Sequence, residues 1–130
     1  KKIAVIGELA EFMKFQGGGS SHITTAEYPN AIESLKNEGF EVFYEKGYFS
    51  GFCSSKKKAK VNKPYIQPAL KLAEQALKEN LPVLFFCGLT ESYEGEGFDR
   101  QTMELPQEQL NVLNEILNIT NNWFDFYTIK

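Results

Sequence analysis

Lys2-Ile-Ala-Val-Ile-Gly7 sets apolar side chains on consecutive positions and closes the run with glycine. A strand with one wet face alternates apolar and polar residues. An unbroken apolar run instead predicts a strand covered on both faces, the usual state of strands in parallel sheets. Pro82-Val-Leu-Phe-Phe-Cys-Gly-Leu89, the most apolar segment of the chain, predicts a second such strand, and Glu41-Val-Phe-Tyr44 a third lying between them in sequence. Helices are predicted in the intervals. Pro29–Glu38 carries Ala31, Ile32 and Leu35 on one face, with Pro29 in the first helical position and Gly39 closing it. Pro64–Asn80 repeats Ile66, Ala69, Leu70, Ala73, Ala76 and Leu77 at helical spacing, and Pro106 opens a helix with Leu110, Leu113, Ile116 and Leu117 inward.

Strand and helix in alternation predict an α/β fold: a three-layer sandwich with a small, mostly parallel sheet flanked by helices, joined by right-handed crossovers. The whole of 1–130 reads as one domain, with no internal repeat. At the end of the chain, Phe124, Phe126 and Thr128 alternate within Trp123–Lys130, which fits a half-buried edge strand. Lys46–Lys63 is rich in glycine, serine and lysine and is expected to be a mobile loop, with Lys56-Lys57-Lys58-Ala59-Lys60 as a solvated charge cluster rather than a phosphate site.

Composition excludes several classes. A net charge of −3 gives no electrostatic case for nucleic acid or an anionic membrane, and no apolar run approaches the ~20 residues that span a bilayer. Two cysteines and one histidine make neither a disulfide framework nor an evident zinc site, so no metal and no cofactor is expected. Cys87, inside an apolar run, reads as a small buried hydrophobe. The chain opens directly into a strand without a signal peptide, for which a cytoplasmic location is the expectation.

Two polar stretches interrupt this frame. Gly17-Gly18-Gly19 follows the first strand, but too far from it for a dinucleotide fingerprint, and no Lys-Ser or Lys-Thr follows to make a phosphate-binding loop. Ser20, Ser21 and His22 form its polar tip. Ser92-Tyr-Glu-Gly-Glu-Gly-Phe-Asp-Arg100 follows the carboxyl end of the most apolar strand, where open α/β sheets place their ligands. Glycines on either side of Glu96 let the backbone turn and hold that carboxylate clear of its own chain. Asp99 and Arg100 are a pair able to pin the loop, since a guanidinium fork matches a carboxylate. Glu94 and Glu96 sit in different surroundings, which is how two carboxyls come to differ in pKa.

Gln16-Gly-Gly-Gly-Ser-Ser-His22 and Tyr93-Glu-Gly-Glu-Gly-Phe-Asp-Arg100, followed by Met103-Glu-Leu-Pro106, resemble the second domain of family-3 glycoside hydrolases, the β-glucosidase group. The opening Lys2–Ala10 and the strand ending Cys87-Gly-Leu89 resemble the same domain, so the likeness runs from Lys2 to about Asn122. The resemblance implies an active site built from two domains: a (β/α)₈ barrel with an Asp nucleophile, and an α/β sandwich with the acid/base. It assigns the acid/base to Glu96, with Glu94 as runner-up and Asp99 and Arg100 as loop support. Gly17, Gly18, Gly19, Ser20, Ser21, His22, Tyr93 and Phe98 would lie near a β-glucoside or oligosaccharide substrate.

The barrel and its nucleophile have no counterpart in this sequence, and the tail after Asn122 departs from the family's run of valines and isoleucines. The expectation is therefore a truncated second domain, incomplete at its C-terminus and inactive in isolation, that needs a barrel-domain partner. An excised domain, a split gene and a frameshifted remnant all fit that pattern. A non-catalytic carbohydrate- or partner-binding remnant is the alternative, and a homodimer would cover the face left by the missing barrel.

Overall fold

The apolar run Lys2–Ile6 forms β1, and its consecutive apolar side chains divide between two layers as a doubly covered strand requires. The computed structural model describes residues 1–12, 29–49, 55–88, 105–120 and 127–129, with side chains over 1–12, 29–49, 60–88 and 105–119. Beyond β1 the elements are a 3₁₀ turn at Glu8–Ala10, α1 (Ala31–Asn37), β2 (Glu41–Glu45), α2 (Ser55–Lys78), β3 (Val83–Phe86), α3 (Gln107–Thr120) and β4 (Tyr127–Ile129).

The four strands make one sheet in the order β2-β1-β3-β4, and every pair is parallel. Register follows the side chains. Ile3 and Val5 lie beside Val42, Tyr44 and Leu84 on one face, while Ala4 and Ile6 lie beside Phe43, Val83 and Phe85 on the other. The first face is covered by α1 through Ala31, Ile32 and Leu35, and the second by α2 and α3 through Ala69, Leu70, Ala73, Ala76, Val112 and Ile116. The expected three layers are present. The chain steps from β1 to β2 over one face and from β2 to β3 to β4 over the other. All three crossovers therefore share one hand, as parallel sheets require.

Helix ends differ from the sequence reading in informative ways. Pro29 lies outside α1, whose N-cap is Asn30. Asn30 Oδ1 accepts from the Glu33 N–H at 2.9 Å, and Glu33 Oε2 accepts from the Asn30 N–H at 3.1 Å, a complete capping box. Gly39 does close the helix. With φ of 95° it lets the Phe40 N–H return to the Leu35 carbonyl at 3.1 Å, a Schellman turn sealed by Phe40 against Leu35. Asn80, expected as the last helical residue of α2, is instead its left-handed terminator, with φ of 54°.

The largest correction concerns Lys46–Lys63. Its second half is not a loop: α2 begins at Ser55 and runs through Pro64 and Pro68. Proline forfeits one backbone hydrogen bond and crowds the carbonyl four residues back, so each is more common at a helix start. Here the helix is held by burial of Ala69, Leu70, Leu72, Ala73 and Ala76 in the core, which outweighs the local penalty. Residues 46–49 are not mobile either: Tyr48 is fully buried, and the Phe49 N–H donates to Asn62 Oδ1 at 2.6 Å. In α3 the buried residues are Glu108, Gln109, Val112 and Ile116. Leu110 and Leu113 are only partly covered, and Leu117, expected inward, is exposed. At the chain's end the expected edge strand is present as β4 beside β3, and residues 123–126 lie outside the described residues.

Candidate functional site at the carboxyl edge of the sheet

In a parallel sheet every strand ends on the same edge, and here the ends of β1, β2 and β3 are bound together. The Tyr48 hydroxyl donates to the Phe86 carbonyl at 2.5 Å and accepts from the Leu9 N–H at 3.4 Å, so one phenol ties the exits of three strands. Its ring lies 6.2 Å from that of Phe85. Burial pushes the Tyr48 phenol well above the ordinary tyrosine range, keeping it a neutral donor. Gly7, with φ of 129°, lets β1 pass close to β3: a Cβ there would stand 2.3 Å from the Phe86 carbonyl oxygen.

On the β2 side, Tyr44 donates to Glu11 Oε2 at 3.1 Å. Burial first, and the Glu11 carboxylate next, push this phenol upward too. Lys46 gathers the neighbourhood. Its Nζ is 3.6 Å from Glu8 Oε1, 5.5 Å from the Phe12 ring centre and 5.4 Å from that of Tyr65. It thus joins β2, the turn after β1 and helix α2. On the β3 side, Gln109 Oε1 accepts from the Gly88 N–H at 2.8 Å, and its Nε2 donates to the Gly88 carbonyl at 2.9 Å, both within the protein interior. Cys87, next to Gly88 in the chain, is buried, as expected.

These groups lie at the ends of the strands that precede the two polar stretches in sequence, β1 before Gly17–His22 and β3 before Ser92–Arg100. Their strands, β1 and β3, are neighbours at the centre of the sheet, and the chain leaves them for opposite faces. That is the topological switch point, the crevice where open α/β sheets bind ligands. Gly17, Gly18, Gly19, Ser20, Ser21, His22, Tyr93, Glu94, Glu96, Phe98, Asp99 and Arg100 all lie outside the described residues.

The sequence reading missed Tyr48, Gln109 and Lys46. Gln109 reads in sequence as a polar surface residue of its helix, and Tyr48 and Lys46 stand in a stretch that composition assigns to a loop. Among the described residues no cluster of His, Cys, Asp or Glu could hold a metal ion, and no helix is long and apolar enough to cross a membrane.

A three-layer α/β sandwich whose parallel sheet has its switch point between β1 and β3 defines a class of domain, and the comparisons place this one. The chain belongs to glycosyl hydrolase family 3: the profile of that family's C-terminal domain matches residues 1–124. It is 34% identical over 123 residues to an exo-α-(1→6)-L-arabinopyranosidase of Bifidobacterium longum, covering 94% of this chain and 15% of the relative. It is 28% identical over 123 residues to the thermostable β-glucosidase B of Acetivibrio thermocellus, covering 92% of this chain and 15% of that one. Among solved structures it is similar to a family-3 β-glucosidase of Bifidobacterium adolescentis, with a TM-score of 0.77 and 30% identity over 98% of this chain and 17% of the other. The chain thus spans about one sixth of the length of the relatives it matches.

Proposed function

We propose that this chain is the acid/base-bearing half of a retaining β-glycosidase active site. One observation carries the reading: the stems of the two polar stretches leave adjacent strands at the switch point of a family-3 C-terminal domain. Glu96 is the proton donor. Protonated, it gives its proton to the glycosidic oxygen of a β-glucoside or oligosaccharide while an Asp on a separate barrel domain attacks the anomeric carbon. It then takes a proton from the water that releases the sugar. The two carboxyls in such a site stand about 5–5.5 Å apart. Approach of substrate and of the nucleophile's charge would raise the Glu96 pKa, which keeps the donor protonated for the first step.

Asp99 and Arg100 brace the loop. Gly17, Gly18, Gly19, Ser20, Ser21 and His22, with Tyr93 and Phe98, form the wall against the sugar. No cofactor and no metal enters the reaction. The nucleophile belongs to the barrel, so the chain alone is inactive.

The test is hydrolysis of an aryl β-glucoside by the isolated chain, and by the chain mixed with a family-3 barrel domain. Turnover is expected only in the mixture. In the mixture Glu96→Gln should lose about 10²–10⁴-fold on a substrate with a poor leaving group, the contribution of a positioned general acid, and Glu94→Gln far less. The reverse order would move the role to Glu94. Weak sugar binding by the chain, with no turnover in any mixture, would favour a non-catalytic carbohydrate-binding domain.

A further inference from the structure

Among the described residues the sheet has two outer strands, β2 and β4, and their sequences treat the edge differently. An edge strand offers a row of N–H and carbonyl groups to any other chain, and charged residues on it discourage that pairing. Glu41–Glu45 of β2 carries a glutamate at each end, while Tyr127-Thr128-Ile129 of β4 carries no charge. Helix α3, which joins β3 to β4, differs from the other helices in the same direction. On α1 Glu33 and Lys36 are exposed, and on α2 Lys71, Glu74 and Lys78. Of the exposed residues of α3 (Gln107, Asn111, Asn114, Glu115, Leu117 and Asn118), only Glu115 is charged. At about 3.6 residues per turn, Leu110, Leu113 and Leu117 fall within roughly 60° of arc, and Glu115 lies on the opposite side of the helix. Leu110 and Leu113 are partly covered, and Leu117 is 42% exposed. An apolar centre ringed by residues without charge is the composition of an interface.

We infer that β4 and α3 form a self-association surface on which a second copy of this chain continues the sheet. Across a two-fold axis normal to the sheet, β4 pairs antiparallel with its copy, and α3 packs beside its copy on the same face. The spacing fits. Val112 and Ile116 of α3 pack in one cluster with Val83 and Phe85 of β3, and the helix is the crossover from β3 to β4. With strands about 4.8 Å apart, a helix lying over that pair stands about 10 Å from its copy, the usual distance between packed helices. The axis reverses α3, so Leu110 of one copy meets Leu117 of the other, Leu113 lies near the axis, and opposite dipole ends come together. Charge selects the occupant. A partner of opposite charge finds nothing on this face to pair with. A copy finds the same leucines and the same amides, each able to donate and to accept, with Glu115 turned away from the contact. The carboxyl edges of the two copies point in opposite directions and stay open, so the inference is independent of the role of Glu96.

A strand of 3 residues and a helix of 14 make a small contact, in the class below about 1,200 Å² that associates weakly. Sedimentation of the full chain should therefore show a monomer at about 1 µM and a dimer at about 1 mM. Leu117→Lys brings a cation against the seam from an exposed position, and Asn114→Lys does the same beside the stripe if the first variant does not fold. Either should weaken association at least about 10-fold, because each lysine meets its own copy across the axis. Glu115→Lys, on the far side of the helix, should leave association unchanged. Amide hydrogen exchange supplies the second readout: exchange in β4 should slow as concentration rises, and exchange in β2 should not. A monomer at 1 mM ( scale), a dimer indifferent to both lysine variants, or β4 amides that exchange at one rate at every concentration would each overturn the inference. Slowing of β4 exchange only when a family-3 barrel domain is added would assign the surface to that domain, and the inference would fail.

Discussion

At the scale of single residues, the carboxyl edge depends on Gly7 and Tyr48. Gly7 combines a positive φ with the Phe86 carbonyl oxygen in the space a methyl would need. Gly7→Ala should therefore cost about 2–4 kcal/mol, from backbone strain and steric overlap together, read as a lower midpoint in urea with an unchanged slope. Tyr48→Phe leaves the Phe86 carbonyl and the Leu9 N–H short of a partner in the interior, a loss of about 1–3 kcal/mol. The same phenol makes stability depend on alkali. Its folded pKa lies above the unfolded value of ~10, so the stability it contributes is complete below that value and is lost as pH rises from there toward the folded-state pKa. Unfolding free energy measured from pH 8 upward should fall beyond about pH 10 in the wild type. The fall should be shallower in Tyr48→Phe, and an equal slope in both would contradict the assignment.

At the scale of elements, what the sequence revealed followed from periodicity, and what it hid followed from competition between local and tertiary terms. The strands were legible because Ile3–Ile6 and Val83–Phe86 are apolar on consecutive positions, which leaves few alternatives to a doubly covered parallel sheet. Helix α2 was half hidden, because Pro64 reads locally as a start while the core contacts of Ala69–Ala76 carry the helix through it. The stripe of α3 was misjudged because a buried glutamine reads as surface until its partner on another element is known. The acidic and glycine stretches draw a chemical reading from their composition and lie outside the described residues; the ties at the strand ends before them were not legible, since Tyr48 and Gln109 act through contacts thirty-eight and twenty-one residues away in sequence. The capping box gives this scale its own prediction. Asn30→Ala should destabilise by about 1 kcal/mol, and Pro29→Ala by less, because Pro29 precedes the cap; thermal melts of both variants check the order.

At the scale of the whole molecule, the chain covers about one sixth of its relatives' length, and in the proposed function it holds one part of a two-domain site. The two polar stretches follow neighbouring strands, β1 and β3, and the reaction we propose calls for a second domain. The central claim is that Glu96 is the acid/base, and the variant that removes it can be made to report its own role. With Glu96→Ala in the chain, combined with a family-3 barrel and supplied with dinitrophenyl β-glucoside, the first step still proceeds but no base remains to activate water. Azide needs no base and enters by the face that water used. Added azide should therefore restore turnover and yield the β-glucosyl azide, identified by the anomeric proton coupling. An α-azide would mark Glu96 as the nucleophile, and no acceleration by azide would contradict its role as acid/base.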